Sequence, residues 1–432
     1  MLFEAIRGYG EGKDEIDRML VNLLKDLLKT STSTYLLARL WCTRLPLEFY
    51  SRGKFIEGCE AAEEFVQSVE LAHKWQNDSE RANAQLGFLR HLCVEYRIRE
   101  KELSNREVWE KRAAYINSWH PCNSENPSQL ERYAMGMGCR MRGKLAKDFG
   151  LFKEAYYDLK LFIEQYAQHG SREEGWAIGD FAQVILELED TDEAPEILND
   201  LRTNGTNFGE KLTFASSSAL CEVVSFICSR AVEYRMFERN HVTQQDRENV
   251  RENDTMFLEI NHAASILRTG RIHRESYRDA EEKLQGLRKR FEKIRANGVS
   301  WHDDQIREFS VLAYLAQISH LRQDWEEAQS RWQQTVEYGQ SEVKEWRPDN
   351  FYIEVAKYSL ADVQLNAGGE VNAIISELGD TIRRLEKEKE TWMLGMGTYW
   401  LDYVKRSMGP KLMMEGMRSM REREIKEYEK GA

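Results

Sequence analysis

Three carboxylates crowd the segment Trp301-His302-Asp303-Asp304-Gln305-Ile306-Arg307-Glu308. On a helix, Asp304 and Glu308 share one face, a spacing that suits a cation site or the acidic centre of an enzyme. The same residues also fit a capping role. Ser300 followed three residues later by Asp303 has the spacing of a capping box, and acids in a first turn complement the helix dipole. A second constellation is cationic. Arg140, Lys144 and Lys147 are four and three residues apart, so on a helix they form one ridge. Such a ridge can hold a carboxylate, which accepts two or more charge-assisted hydrogen bonds, or it can be an ordinary solvated face.

Two longer charge runs add to these. Arg268–Arg295 carries ten Lys or Arg against five Asp or Glu, among them Arg271, Arg274, Arg278, Lys283, Arg288, Lys289, Arg290 and Lys293. It reads either as a patch contacting phosphate or RNA, or as a helix face laced with ion pairs to Asp279, Glu282 and Glu292. Glu187–Asp200 has seven acids and no base and is expected to face solvent.

The common catalytic signatures are missing. There is no G-x-x-x-x-G-K-[ST], no G-x-G-x-x-G, no G-x-S-x-G and no H-E-x-x-H. Gly138 with Gly143-Lys144 has phosphate-loop spacing, but Leu145 stands where a hydroxyl would bind the metal. The seven cysteines are odd in number, widely spaced and free of C-x-x-C. They read as reduced, buried thiols of a cytoplasmic protein, with Cys221 and Cys228 on one helix face. No metal site and no cofactor are expected.

These side chains must be positioned by helices. Hydrophobic residues make up 41% of the 432 positions and aromatics 11%, ample for a core. Only six prolines accompany 31% charged residues, a balance that favours an all-α chain. Net charge is −12, which opposes general nucleic-acid coating but allows a local basic patch. The longest charge-free run, Phe309–Leu321, has 13 residues and is too short to span a bilayer. No basic stretch followed by an apolar run opens the sequence, so no secretory leader is expected. In Phe351–Leu365, Ile353, Ala356, Leu360 and Val363 recur at helical spacing.

A hairpin marker also recurs: a turn, an apolar or aromatic residue, acids, then a small residue. It reads Gly53-Lys54-Phe55-Ile56-Glu57-Gly58, Gly150-Leu151-Phe152-Lys153-Glu154-Ala155, Asp190-Thr191-Asp192-Glu193-Ala194, Gln323-Asp324-Trp325-Glu326-Glu327-Ala328 and Gly368-Gly369-Glu370-Val371-Asn372-Ala373. Leu315-Ala316, Leu360-Ala361 and Phe181-Ala182 each precede the following small residue by twelve to thirteen positions, and Gly143 precedes Ala155 by twelve. The pattern resembles tetratricopeptide repeats. That resemblance implies a right-handed solenoid of antiparallel helical hairpins, in which small residues let helices cross closely. Pro46, at the small-residue position of the first unit, is expected to kink its helix.

By the same resemblance, the first helix of each unit lines a concave groove. The implied groove residues are Thr43 and Tyr50, then Arg140, Lys144 and Lys147, then Trp176 and Gln183, then His320, then Tyr358 and Asp362. The cationic ridge is similar to the carboxylate clamps with which some tetratricopeptide domains hold acidic peptides. The tryptophan-rich style is similar to helical-repeat regions of fungal proteins. The acidic segment resembles aspartate-rich motifs of some fungal specialised-metabolism enzymes, cyclodipeptide-forming ones among them, although its spacing is D-D-x-x-x-E.

The expected organisation is a capping region over 1–34, a first half-array over 35–238 and a polar loop over 239–254. A second half-array over 255–407 and a Met-rich helix with a charged tail over 408–432 complete it. The expected function is an interaction scaffold whose groove binds a peptide or acidic protein partner. The alternative is an enzyme with Asp303, Asp304 and Glu308 at its centre.

Overall fold

The structure is a computed structural model that describes residues 13–31, 33–44, 57–58, 60–65, 129–148, 150–167, 172–189, 191–204, 219–241, 252–270, 274–296, 302–343, 350–369, 378, 400–401 and 403–408. Helix accounts for nearly all of them, and none is in a strand. The chain is all-α, as its proline scarcity and helical periods imply.

In chain order the described helices are α1 (Lys13–Thr30), α2 (Thr34–Arg44), α3 (Gln129–Asp148) and α4 (Phe152–Leu161), the last running into a π-turn (Phe162–Tyr166). Then come α5 (Arg172–Leu188), α6 (Ala194–Asn204), α7 (Leu220–His241) and α8 (Glu252–Thr269). The remainder are α9 (Ser276–Ala296), α10 (His302–Leu321), α11 (Trp325–Ser341) and α12 (Phe351–Asn366). Two compact units are present, one built chiefly from residues 1–265 and the other from 266–295, 300–390 and 394–432.

Consecutive helices pair, and in three of the five copies the recurring marker is a shared helix ending, while residues 53–56 lie outside the described residues. After α3, Gly150 adopts φ 73°, its N–H bonds to Lys147 O and the N–H of Leu151 reaches back to Ala146 O at 2.9 Å. After α10, Gln323 at φ 63° and Asp324 repeat this with His320 O and Ser319 O. Gly368 and Gly369 close α12 the same way. This double reach-back satisfies carbonyls that the helix leaves unpaired and turns the chain into its next helix. Asp324 then caps α11 by accepting from the N–H of Glu327, and Asn350 caps α12 by accepting from Tyr352.

Small residues set the crossings. A Cβ on Gly143 of α3 would come within 2.8 Å of Leu159 Cγ on α4, and one on Gly136 within 2.3 Å of Tyr166 Cβ in the π-turn. Ala155, Ala182, Ala316 and Ala328 are fully buried. In the second unit Ile353, Ala356 and Val363 enter a core with Trp332, Trp400 and Phe309, as their spacing implies.

Several expectations are revised. Residues 239–241 and 252–254, expected in the polar loop, are helical, since α7 runs to His241 and α8 begins at Glu252, and 242–251 lie outside the described residues. Exposed polar residues sustain a helix well once it is nucleated, so polarity alone misplaces the boundary. Glu187–Asp200 does not simply face solvent. Glu187 is buried, Asp200 accepts from Tyr156 Oη and Lys160 Nζ, both at 2.5 Å, and Glu196 accepts from Lys153 and Tyr157. These acids tie α6 to α4. Pro46, Tyr50 and everything after Met408, the Met-rich segment and tail included, lie outside the described residues.

Candidate functional site

The first unit gathers five of the sequence-derived groove residues on the facing sides of α3 and α5. Arg140, Lys144 and Lys147 rise along α3, while Trp176, Asp180 and Gln183 follow the same four-and-three spacing along α5. Contacts match rung by rung. The Arg140 guanidinium carbon lies 5.2 Å from the Trp176 ring centroid. Two turns further along α3, Lys147 Nζ donates to Asp180 Oδ1 at 2.5 Å and to Gln183 Oε1 at 3.1 Å.

Asp180 is the residue that sequence reasoning missed. Its spacing from Trp176 and Gln183 was available as a signal, but its partner lies 33 residues away. Burial is the strongest influence on its carboxyl and pushes its pKa up. The positive charges of Lys147, Lys144 and Arg140 together outweigh burial and hold the carboxyl below its ordinary value.

Lys147 is not left open on this ridge, because Asp180 neutralises it. Arg140 differs. It is only 7% exposed, yet its guanidinium makes no hydrogen bond or ion pair among the described residues, and its Nε is enclosed without an acceptor. A buried guanidinium normally has its fork of donors occupied. Here the donors are held in place by stacking on an indole rather than by an anion.

The acidic segment has a different character. Asp304 is buried and lies 3.9 Å from Arg307 on its own helix. Glu308 is buried too. Its Oε2 accepts from Tyr338 Oη at 2.7 Å and its Oε1 lies 3.2 Å from Arg295. Burial raises its carboxyl above the ordinary range, against the lowering effects of Tyr338 and Arg295. The side chain of Asp303 is not among those described. The geometry makes Glu308 an internal tie between α10, α11 and the end of α9.

His320 and Tyr358 do not line an open groove. They are 2% and 6% exposed and sit inside the second unit. His320 Nε2 lies 2.8 Å from Asp362 Oδ2, and Trp332 Nε1 donates to His320 Nδ1 at 3.3 Å. An indole N–H can only donate, so Nδ1 accepts and the ring proton resides on Nε2, toward Asp362. Ser407 donates to the other oxygen of Asp362. The serine bonds the carboxylate and not the imidazole, so the trio is not arranged as a nucleophile with its base. Spacing placed His320 correctly on a helix face, but that face is covered by Trp400, Trp325 and Tyr403.

The remaining candidates are placed as follows. Thr43 lies in α2 with its side chain outside the description, and Tyr50 lies beyond the described residues. No group of three or more metal-ligating side chains occurs among the described residues. No described helix is long and apolar enough to cross a membrane. Cys221 and Cys228 are buried, and burial pushes the Cys228 thiol up, away from reactivity. No protein-family model and no curated protein matches this chain, so its function is read from the arrangement of these side chains.

Proposed function

We propose that the chain is a tetratricopeptide-like stack of helical hairpins that acts as a cytoplasmic interaction scaffold, and that α3 and α5 form the surface that takes an acidic group of a protein or peptide partner. The observation that carries this reading is Arg140. Its guanidinium lies over the Trp176 ring, is largely withdrawn from water and makes no hydrogen bond or ion pair among the described residues, Asp180 feeling its charge only at longer range. A desolvated charge gains most from an incoming carboxylate, because the penalty of removing it from water is already met. Lys147, two turns along α3, and Asp180 neutralise each other, which fixes the facing surfaces of the two helices around it. Glu308, with one oxygen bonded to Tyr338 and the other beside Arg295, offers little support to the enzymatic alternative.

A fluorescence titration tests the reading. Trp176 reports from within the site, so an acidic peptide should change tryptophan emission saturably, and its glutamine analogue should not. Arg140→Met keeps the stem and removes the charge, and should weaken acidic-peptide binding by about tenfold to a hundredfold. Equal binding by the variant, or equal binding of the glutamine analogue, would remove the basis for the proposal.

A further inference from the structure

The basic stretch 268–295 folds largely into α9, whose buried face carries Tyr277, Ala280, Leu284, Leu287 and Phe291. Its other faces hold the charges, and one of them borders a cleft of about 260 Å³ within the second unit. Gln285, Arg288, Lys289 and Glu292 of α9 form one wall, Arg331 and Gln334 of α11 the other, and Leu312 and Leu315 of α10 the floor.

The polar groups divide into spent and unspent. Arg331 donates to Glu281 Oε1 at 2.6 Å, to Glu327 Oε1 at 2.5 Å and to Leu315 O at 2.9 Å. It bridges the two walls and its charge is compensated. Arg322 also donates to Glu281, whose carboxyl is held below its ordinary value. Arg288 gives its Nε to Glu292 at 3.0 Å and keeps its terminal nitrogens. Lys289 and Gln334 make no hydrogen bond or ion pair among the described residues.

We propose that this cleft is a small-molecule site that takes an organic monocarboxylate with an apolar body, the body resting on Leu312 and Leu315 and the carboxylate meeting Lys289 and the outer nitrogens of Arg288. Three features choose this class. The floor is aliphatic, so a bare inorganic anion would leave it unfilled. The volume, about nine waters' share, is below that of drug-sized pockets and fits a metabolite-sized body. Glu281, Glu292 and Glu327 surround the cations, so a polyanion such as RNA would meet three carboxylates where it needs positive charge. One net cation remains for one anionic group. The site uses none of the residues proposed to bind an acidic partner on α3 and α5.

The test is methyl NMR on the full-length chain, with phenylpropanoate as probe and phenylpropanamide, inorganic phosphate and single-stranded RNA as comparators. Phenylpropanoate should shift the methyl signals of Leu312 and Leu315 saturably and leave those of Leu145 and Leu159 in the first unit unmoved. The amide should bind at least about tenfold more weakly, and so should phenylpropanoate to the double variant R288A/K289A. Arg140→Met should change none of this, which separates the two sites. Unmoved Leu312 and Leu315 signals, an equal response to phosphate or RNA, or full affinity in the double variant would overturn the assignment.

Discussion

His320 Nε2 and Asp362 Oδ2 meet at 2.8 Å from two different helices, α10 and α12, with side-chain exposures of 2% and 0%. The imidazole is thereby held between an acceptor on one nitrogen and the Trp332 indole on the other. Asp362→Ala would leave a buried ring N–H unpaired and release Ser407, and is expected to destabilise the second unit by about 3 kcal/mol. Asp362→Asn retains an acceptor oxygen and should lose less than half of that. Urea unfolding followed by tryptophan emission measures both, since Trp332 and Trp400 lie in the same core. Equal losses would mean that packing, not hydrogen bonding, holds this corner.

Asp180 makes a pH prediction in the first unit. Its carboxyl is held below the ordinary value of 3.8, so it binds protons more tightly in the unfolded chain than in the folded one. Its contribution is therefore complete above that value and is lost as pH falls through the lower folded value. Asp180→Asn should cost about 3 kcal/mol at neutral pH, because Lys147 loses its countercharge within the protein. Below a pH of about 4 the wild type should lose stability more steeply than the variant, so that the two curves approach each other. Curves that stay parallel through acid would show that Asp180 does not sense its three cations.

Gln323 occupies the left-handed region at φ 63° where Gly150 and Gly368 sit in the equivalent turns. A side chain there is strained, and this one is exposed, so removing it forfeits no packing. Gln323→Gly should stabilise the second unit by about 1 kcal/mol, raising its melting temperature by roughly 2–4 °C. Calorimetry decides the matter, and an unchanged or lower melting point would show the turn to be unstrained.

The helical class was legible because it depends on local spacing. Ile353, Ala356 and Val363 recur at helical intervals and are buried accordingly. The crossing at Gly143 was legible for the same reason, since a glycine twelve residues ahead of Ala155 has a steric purpose. Charge compensation was not. Lys147 and Asp180 pair across 33 residues and Tyr338 and Glu308 across 30, and no local pattern announces which faces of which helices will meet. Burial misled in the same way at His320. A position on a first helix can look toward a groove or into a core, and the aromatic residues that close it off, Trp400 and Tyr403, lie some eighty positions further along.

Gly136 and Gly143 stand two helical turns apart on one stripe of α3, and each receives a bulky side chain from the partner segment, Tyr166 and Leu159. Two detents so spaced forbid α3 and α4 from sliding lengthwise or rolling, because any shift drives a ring or an isobutyl group against backbone. The hairpin consequently behaves as a stiff plank. If the first unit flexes to accommodate what it holds, the bending falls on the joints between hairpins, so Arg140, Lys144 and Lys147 travel together while their distances to α5 change.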